Sequence, residues 1–258
     1  MVWEHKHDLI IPKFLARAFL ELTLGYISLS EYGARLREFW KNRWQNLEEL
    51  MAFDQKNQIP STFFIAVANG QGLSYRLSDA QYWINRLNSA HFSVGVHGIA
   101  CDNPVLMKKE LEIFRGLSPR NQIGIRMHYL RHSPDMLTLL GRLGYLYDCS
   151  CYAQQNPYRV DGLWEFPLHI MDGYMFSVKR RWQNQTFAQA VETTKRLMDS
   201  ASSQDLKYFT ILFHDRYFSS SFQAWKDWYC WLIDWLRINQ YSFINYDEAV
   251  NELEVGHG

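Results

Sequence analysis

Histidine, aspartate and arginine recur at the ends of short apolar runs in this chain. His5, His7 and Asp8 close the first run, and His97 closes Phe92–His97. Arg126 and His128 close Ile123–His128, Asp148 follows Tyr145–Tyr147, and His214 with Asp215 follows Tyr208–Phe213. Imidazole and carboxylate together can pass protons, or hold a divalent cation through nitrogen and oxygen donors. One such residue is usually a satisfied structural group, but recurrence at run after run points to a shared site. Cys101, four residues after His97, adds a thiolate donor or else a small buried hydrophobe. Neither G-x-G-x-x-G nor G-x-x-x-x-G-K occurs, which argues against dinucleotides and nucleoside triphosphates.

The elements that must position these groups alternate. Helices are predicted over 12–27, 30–40 and 45–57, then a strand over Thr62–Ala68 that reads as buried on both faces. A helix over 78–90 with Ser78 as its cap precedes the strand Phe92–His97, and a helix over 104–116 with Pro104 in its first turn follows. Ile123–His128 is a strand, Ser133-Pro134 opens a helix ending near Gly144, and Tyr145–Tyr147 is a strand. Further on come a strand over 162–168, a helix over 187–200, a strand over Tyr208–Phe213 and a helix over 221–239. A short strand Ser242–Asn245 and a helix over 246–254 close the chain. Trp225, Trp228, Leu232 and Trp235 lie at helical spacing and read as packing. Strand-then-helix order predicts α/β architecture with a parallel sheet, as a (β/α) barrel or an open doubly wound sheet. In either, chemistry gathers at the C-terminal ends of the strands.

Composition bounds the function. The 258 residues carry 27 basic and 27 acidic side chains, and 47% are hydrophobic. That is enough for one large core, so a single domain over 1–258 is expected, with 12–57 as a helical insert after the first strand. Zero net charge argues against a nucleic-acid groove. Four cysteines are too few for a disulfide framework. Leu9–Leu29 is the most apolar stretch, but Lys13, Arg17 and Glu21 line one helix face there, with Arg17 and Glu21 at i, i+4. No transmembrane segment is therefore expected. The N-terminal sequence lacks the order of a secretory signal, so a cytoplasmic location is expected.

Six segments, in order, resemble the polysaccharide deacetylases (carbohydrate esterase family four). They are Ser61-Thr-Phe-Phe-Ile65, Val94-Gly-Val-His-Gly98, Gly124-Ile-Arg-Met-His-Tyr-Leu130, Gly144-Tyr-Leu-Tyr-Asp-Cys-Ser150, Trp164-Glu-Phe-Pro167 and Leu212-Phe-His214. The resemblance implies a distorted (β/α) barrel and hydrolysis of an N-acetyl group on a sugar polymer or oligosaccharide by a metal-bound water. It implies Asp8, His97 and His128 as ligands of a divalent ion, zinc first, with Asp8, His214 and Arg126 as the catalytic set. His214 would be the acid and Arg126 the orienter of the base. His128, Tyr129 and Trp164 would meet the substrate, with Trp3 and Tyr217 as further stacking surfaces.

The chain departs from that family at two positions. Its first strand carries one carboxylate where the family has two. If His7 aligns with the motif, Asp8 is the base and Ile10 holds the ligand position. If His5 aligns, Asp8 is the ligand and Lys6 holds the base position, and the spacing to Pro12-Lys13 favours this register. In H-x-x-x-H the second histidine is Cys101. Arg126 and His128, two apart on a strand, should share a side. An active variant with rearranged ligands, a glycan-binding protein without hydrolysis, and a motif lying outside this chain all remain open. So does partner docking, including a homodimer through the helical insert.

Overall fold

A computed structural model describes residues 10–41, 44–70, 72–133 and 135–256. The expected first strand and its residues Trp3, His5, Lys6, His7 and Asp8 lie outside the described residues. The chain forms two compact units. One takes the chain up to Asn57, then His169–Leu206 and Ile211–Ser242, and the other takes Gln58–Leu168, Lys207–Thr210 and the chain from Phe243 onward.

In the first unit, the expected insert is three helices: α1 (Ile10–Thr23), α2 (Leu29–Lys41) and α3 (Leu47–Lys56). α1 and α2 are pinned from within by Arg35. Its guanidinium pairs with Glu21 and Glu31 and donates to the Ser221 carbonyl at 2.7 Å. Glu21 is thus drawn inward to Arg35, whereas Arg17, its expected i, i+4 partner, is exposed. The unit's two-stranded sheet pairs β7 (Leu168–Met171) with β8 (Thr210–Leu212). A short helix α7 (Asp172–Phe176) follows β7, then α8 (Phe187–Ser203) and α9 (Gln223–Ile238). Thr186 and Gln189 cap α8 reciprocally at its first turn. Trp225, Trp228 and Leu232 of α9 are buried as the spacing predicts, and the Trp228 indole donates to Thr194 at 2.9 Å.

The second unit holds a six-stranded sheet in the order β1-β2-β3-β4-β6-β5. Its strands are β1 (Thr62–Ile65), β2 (Ser93–Gly98), β3 (Ile125–Met127), β4 (Tyr147–Asp148), β5 (Tyr158–Val160) and β6 (Leu163–Glu165). The helices are α4 (Leu77–Ser89), α5 (Pro104–Leu117), α6 (Met136–Leu143) and α10 (Tyr246–Gly256). Asn103 caps α5 through Val105 N and Leu106 N, ahead of Pro104. Gly144 ends α6 at φ 87°, a left-handed turn that a Cβ would strain.

Pairings β1·β2, β2·β3, β3·β4 and β4·β6 are parallel, but β5·β6 is antiparallel, so the sheet is mixed. The expected single strand over 162–168 is two strands, because Pro167 lacks the N–H that would continue β6. Ser242–Asn245 is not a strand. Ser78 is not the cap of α4 either: the helix begins at Leu77, and Asp79 accepts from Arg76 N at 3.2 Å. The expected α/β class stands, while the described strands pair as an open six-stranded sheet and a separate two-stranded one.

Glycine lets the central strands close up. A Cβ on Gly95 would lie 2.8 Å from both the Gly124 carbonyl and the Phe64 ring, and one on Gly124 would overlap the Tyr147 ring. Aromatic side chains therefore cross the strands over glycines. Tyr147 stacks on Tyr246 with centroids 4.8 Å apart, in a cluster with Cys149, Trp164 and Phe166.

Candidate active site

The second unit brings three of the expected residues to neighbouring strand ends. His97 and Arg126 are register partners across β2 and β3. His97 Nε2 lies 2.8 Å from His128 Nδ1, a hydrogen bond whose donor depends on the tautomers. The rings meet edge-on with centroids 4.9 Å apart. The Arg126 guanidinium sits over the Phe64 ring at 4.8 Å.

His128 is not on the strand, contrary to the shared-side expectation. β3 ends at Met127, and His128 opens a single tight turn. Tyr129 and Leu130 in that turn both have positive φ, at 59° and 50°. Two consecutive non-glycine residues in this region carry strain that neighbouring contacts must hold. The turn packs the Tyr129 ring against His128, with centroids 4.0 Å apart, and leaves Tyr129 exposed.

Two residues that sequence reasoning missed hold the segments that follow β2 and β3, next to the imidazoles. Glu110 of α5 is buried and accepts from Ile99 N at 3.0 Å and Ala100 N at 2.9 Å, directly after β2. Arg131 donates to the Ile99 carbonyl and to the His128 carbonyl. Burial pushes the Glu110 carboxyl above its ordinary value, against the opposing pull of those two amides and Arg131. The available signal was helical spacing, since Glu110 shares a face with Met107, Leu111 and Phe114 where a charge is out of place.

Asp148 does not join the imidazoles; it pairs with the equally buried Glu165 beside it in the β4–β6 register. Asp148 accepts from Ser150 Oγ at 2.6 Å, and Glu165 accepts from Cys151 N at 3.0 Å. Burial raises both carboxyls, and each constrains the other. Trp164, expected to meet substrate, is buried in the aromatic cluster and donates to Glu254 at 2.8 Å. Its ring is packed as core, so no sugar can stack on it as placed. Cys101 is half-buried and offers its carbonyl to Ser133.

In the first unit, His214 follows β8 and meets a carboxylate that the sequence reading did not assign. Asp172, wholly buried at the end of β7, lies 2.8 Å from His214 Nδ1 and accepts from His214 N at 2.6 Å. An imidazole held this way has one fixed tautomer, and its Nε2 is left for proton transfer. The available signal was a lone Asp after the apolar run Leu168–Met171, just past the strand expected over 162–168. The next carboxylate, Asp215, accepts from Asn46 N at 3.1 Å and is raised by burial. Tyr217, named as a sugar platform, is stacked on Trp225 at 4.0 Å.

Imidazole nitrogens suit zinc and similar divalent ions. The donor chemistry of His97 and His128 fits such an ion on its nitrogen side. Among the described residues, no three His, Cys, Asp or Glu side chains gather to hold one, and Asp8 lies outside them.

Comparison with solved structures decides the fold. A Mycobacterium smegmatis protein described as a "putative polysaccharide deacetylase" aligns over 95% of this chain and 88% of its own, at TM-score 0.66 and 13% identity. The chain has the polysaccharide deacetylase fold. A Pseudomonas aeruginosa PAO1 protein described as a "probable polysaccharide deacetylase" aligns over 86% of this chain and 74% of its own, at TM-score 0.63 and 15% identity. Puue allantoinase has the same fold, at TM-score 0.66 and 16% identity over 90% of this chain and 78% of its own. No family model matches the chain, and no curated protein matches it. At these identities the deacetylase fold is what the chain shares with these proteins.

Proposed function

We propose that the chain hydrolyses the N-acetyl amide of a glycan, polymer or oligosaccharide, in a metal-dependent reaction. The observation that carries this reading is the His97–His128 imidazole pair beside Arg126 at neighbouring strand ends, in a chain with the deacetylase fold. His97 and His128, with Asp8, would hold a divalent ion, zinc first, which when bound polarises the amide carbonyl and acidifies a water. Arg126, fixed over Phe64, supplies a positive charge that orients the base. Tyr129 offers an exposed ring to a sugar face. His214, held through Nδ1 by Asp172, would take up at Nε2 the proton shed in the attack and pass it to the leaving amine. The same reading expects a distorted (β/α) barrel and a cytoplasmic location. No helix among the described residues is long and apolar enough to cross a membrane.

The test is metal content by mass spectrometry on protein purified without chelators, beside His97→Ala, with acetate release from N-acetylated oligosaccharides. About one equivalent of divalent ion, lost in the variant together with acetate release, is expected. Wild-type protein that takes up no ion even with zinc supplied refutes the reading.

A further inference from the structure

The outward face of α1 and α2 has a composition that the proposed chemistry does not use. On α2, Leu29, Leu36 and Trp40 recur at helical spacing on the side opposite the buried residues Glu31, Ala34 and Arg35. Trp40 is 88% exposed and Leu29 74%, and Phe19 and Leu24 are exposed nearby in the sequence. A large indole held that far out in water is uncommon unless something covers it.

The exposed charges of this helical segment itself have one sign. Between residues 10 and 41 the exposed charged side chains are Lys13, Arg17, Arg37 and Lys41. The acids of the same segment are occupied: Glu21 and Glu31 are buried against Arg35, and half-buried Glu38 accepts from Ser221 Oγ at 2.9 Å. The whole chain is neutral, so this one-signed surface is a local feature.

We infer that the exposed face of α1 and α2 docks on an anionic lipid surface, with Trp40 and Leu29 entering the interface and Arg37 and Lys41 meeting lipid headgroups. Apolar and aromatic groups flanked by basic residues are what such a surface binds. A second copy docked through the same face would set two basic faces against each other, with no exposed carboxylate in either segment to meet them. Charge thus favours lipid over a homodimer through the helical insert, which the sequence leaves open. The face stands apart from the proposed hydrolysis, so it can hold or fail independently of that reading.

The test is co-sedimentation of the full chain with vesicles of phosphatidylcholine alone and with vesicles holding about one third phosphatidylglycerol. Binding is expected only to the anionic vesicles, and weaker in added salt. Neutralising Arg37 and Lys41 together (R37Q/K41Q) should weaken it about thirtyfold, near fivefold per charge. Trp40→Ala should weaken it about tenfold, and Lys195→Gln, an exposed base on α8, should leave it unchanged. All four positions are exposed, so folding is not at stake. Absence of anionic-vesicle binding, or equal binding by all variants, overturns the inference. A concentration-dependent dimer that Trp40→Ala abolishes, without vesicle binding, assigns the face to a second copy and overturns it too.

Discussion

Glu165→Gln should make the protein less sensitive to alkaline pH. Asp148 and Glu165 are both fully buried and adjacent in register. Glu165 Oε1 is taken by Cys151 N, while Oε2 is buried with no donor directed at it. Two ionised carboxylates would repel there, and two bare acceptors cannot bond. A proton on Glu165 resolves both problems by donating to Asp148. Burial is the leading cause of the raised Glu165 value, with the Asp148 charge next. The folded-state pKa therefore lies above the unfolded value of about 4.3, so folding takes up a proton. A raised carboxyl contributes stability that is present below the unfolded pKa and is lost as pH climbs toward the folded one. The loss is about 1.4 kcal/mol per pH unit for one proton. Glutamine keeps both hydrogen bonds, its carbonyl accepting from Cys151 N and its amide donating to Asp148, and needs no proton. Between about pH 5.5 and about pH 8 the variant should gain on the wild type by about 3 kcal/mol, read from urea unfolding curves. A stability difference that stays constant across that range refutes the reasoning.

Two further perturbations test the site and the sheet. Asp172→Asn removes the carboxylate that fixes the His214 tautomer, so kcat for acetate release should fall about 10³-fold with KM little changed. A variant with unchanged kcat shows that His214 carries no proton in the rate-limiting step. Gly124→Ala forces a methyl into the Tyr147 ring, which is buried and stacked on Tyr246. The expected cost is about 3 kcal/mol, seen as a fall in Tm of roughly 10 °C. A Tm within about 1 °C of wild type would mean that the ring can move aside.

The α/β class was legible because its signals are local. Asn103-Pro104 announces α5 by an orphan-satisfying side chain and a residue with no N–H to lose, and Gly144 announces the end of α6 by its left-handed turn. What failed depended on partners far away in sequence. The stretch 162–168 reads as one strand, yet Gly162, at φ 85°, turns a hairpin at its start and Pro167 breaks the run near its end. Ser242–Asn245 has the length and apolarity of a strand, but strandhood is decided by a neighbour's hydrogen bonds, and no described strand pairs with it. Trp164 is typed identically whether it lines a cleft or fills a core, and only the cluster around it distinguishes the two.

The site residues divide along the same line. His97 stands near the end of β2, a local feature that its apolar run marks, and parallel pairing then sets Arg126 beside it. His128 was expected to share Arg126's side through strand alternation, and it reaches His97 by another route: the strand stops one residue earlier and the chain turns through two left-handed residues. Such a turn has no glycine to announce it. Its geometry is held from outside, by Arg131 on the His128 carbonyl and by the loop that Glu110 fixes after β2. Strain without a local sequence cause is expected where surrounding contacts over-determine a loop. The same logic explains Asp172, whose pairing with His214 spans 42 residues and needs β7 and β8 to be paired first. In this chain the sequence marks which groups can do chemistry, while the long-range contacts of Glu110, Arg131 and Asp172 set the loop positions and the His214 tautomer that the proposed chemistry needs.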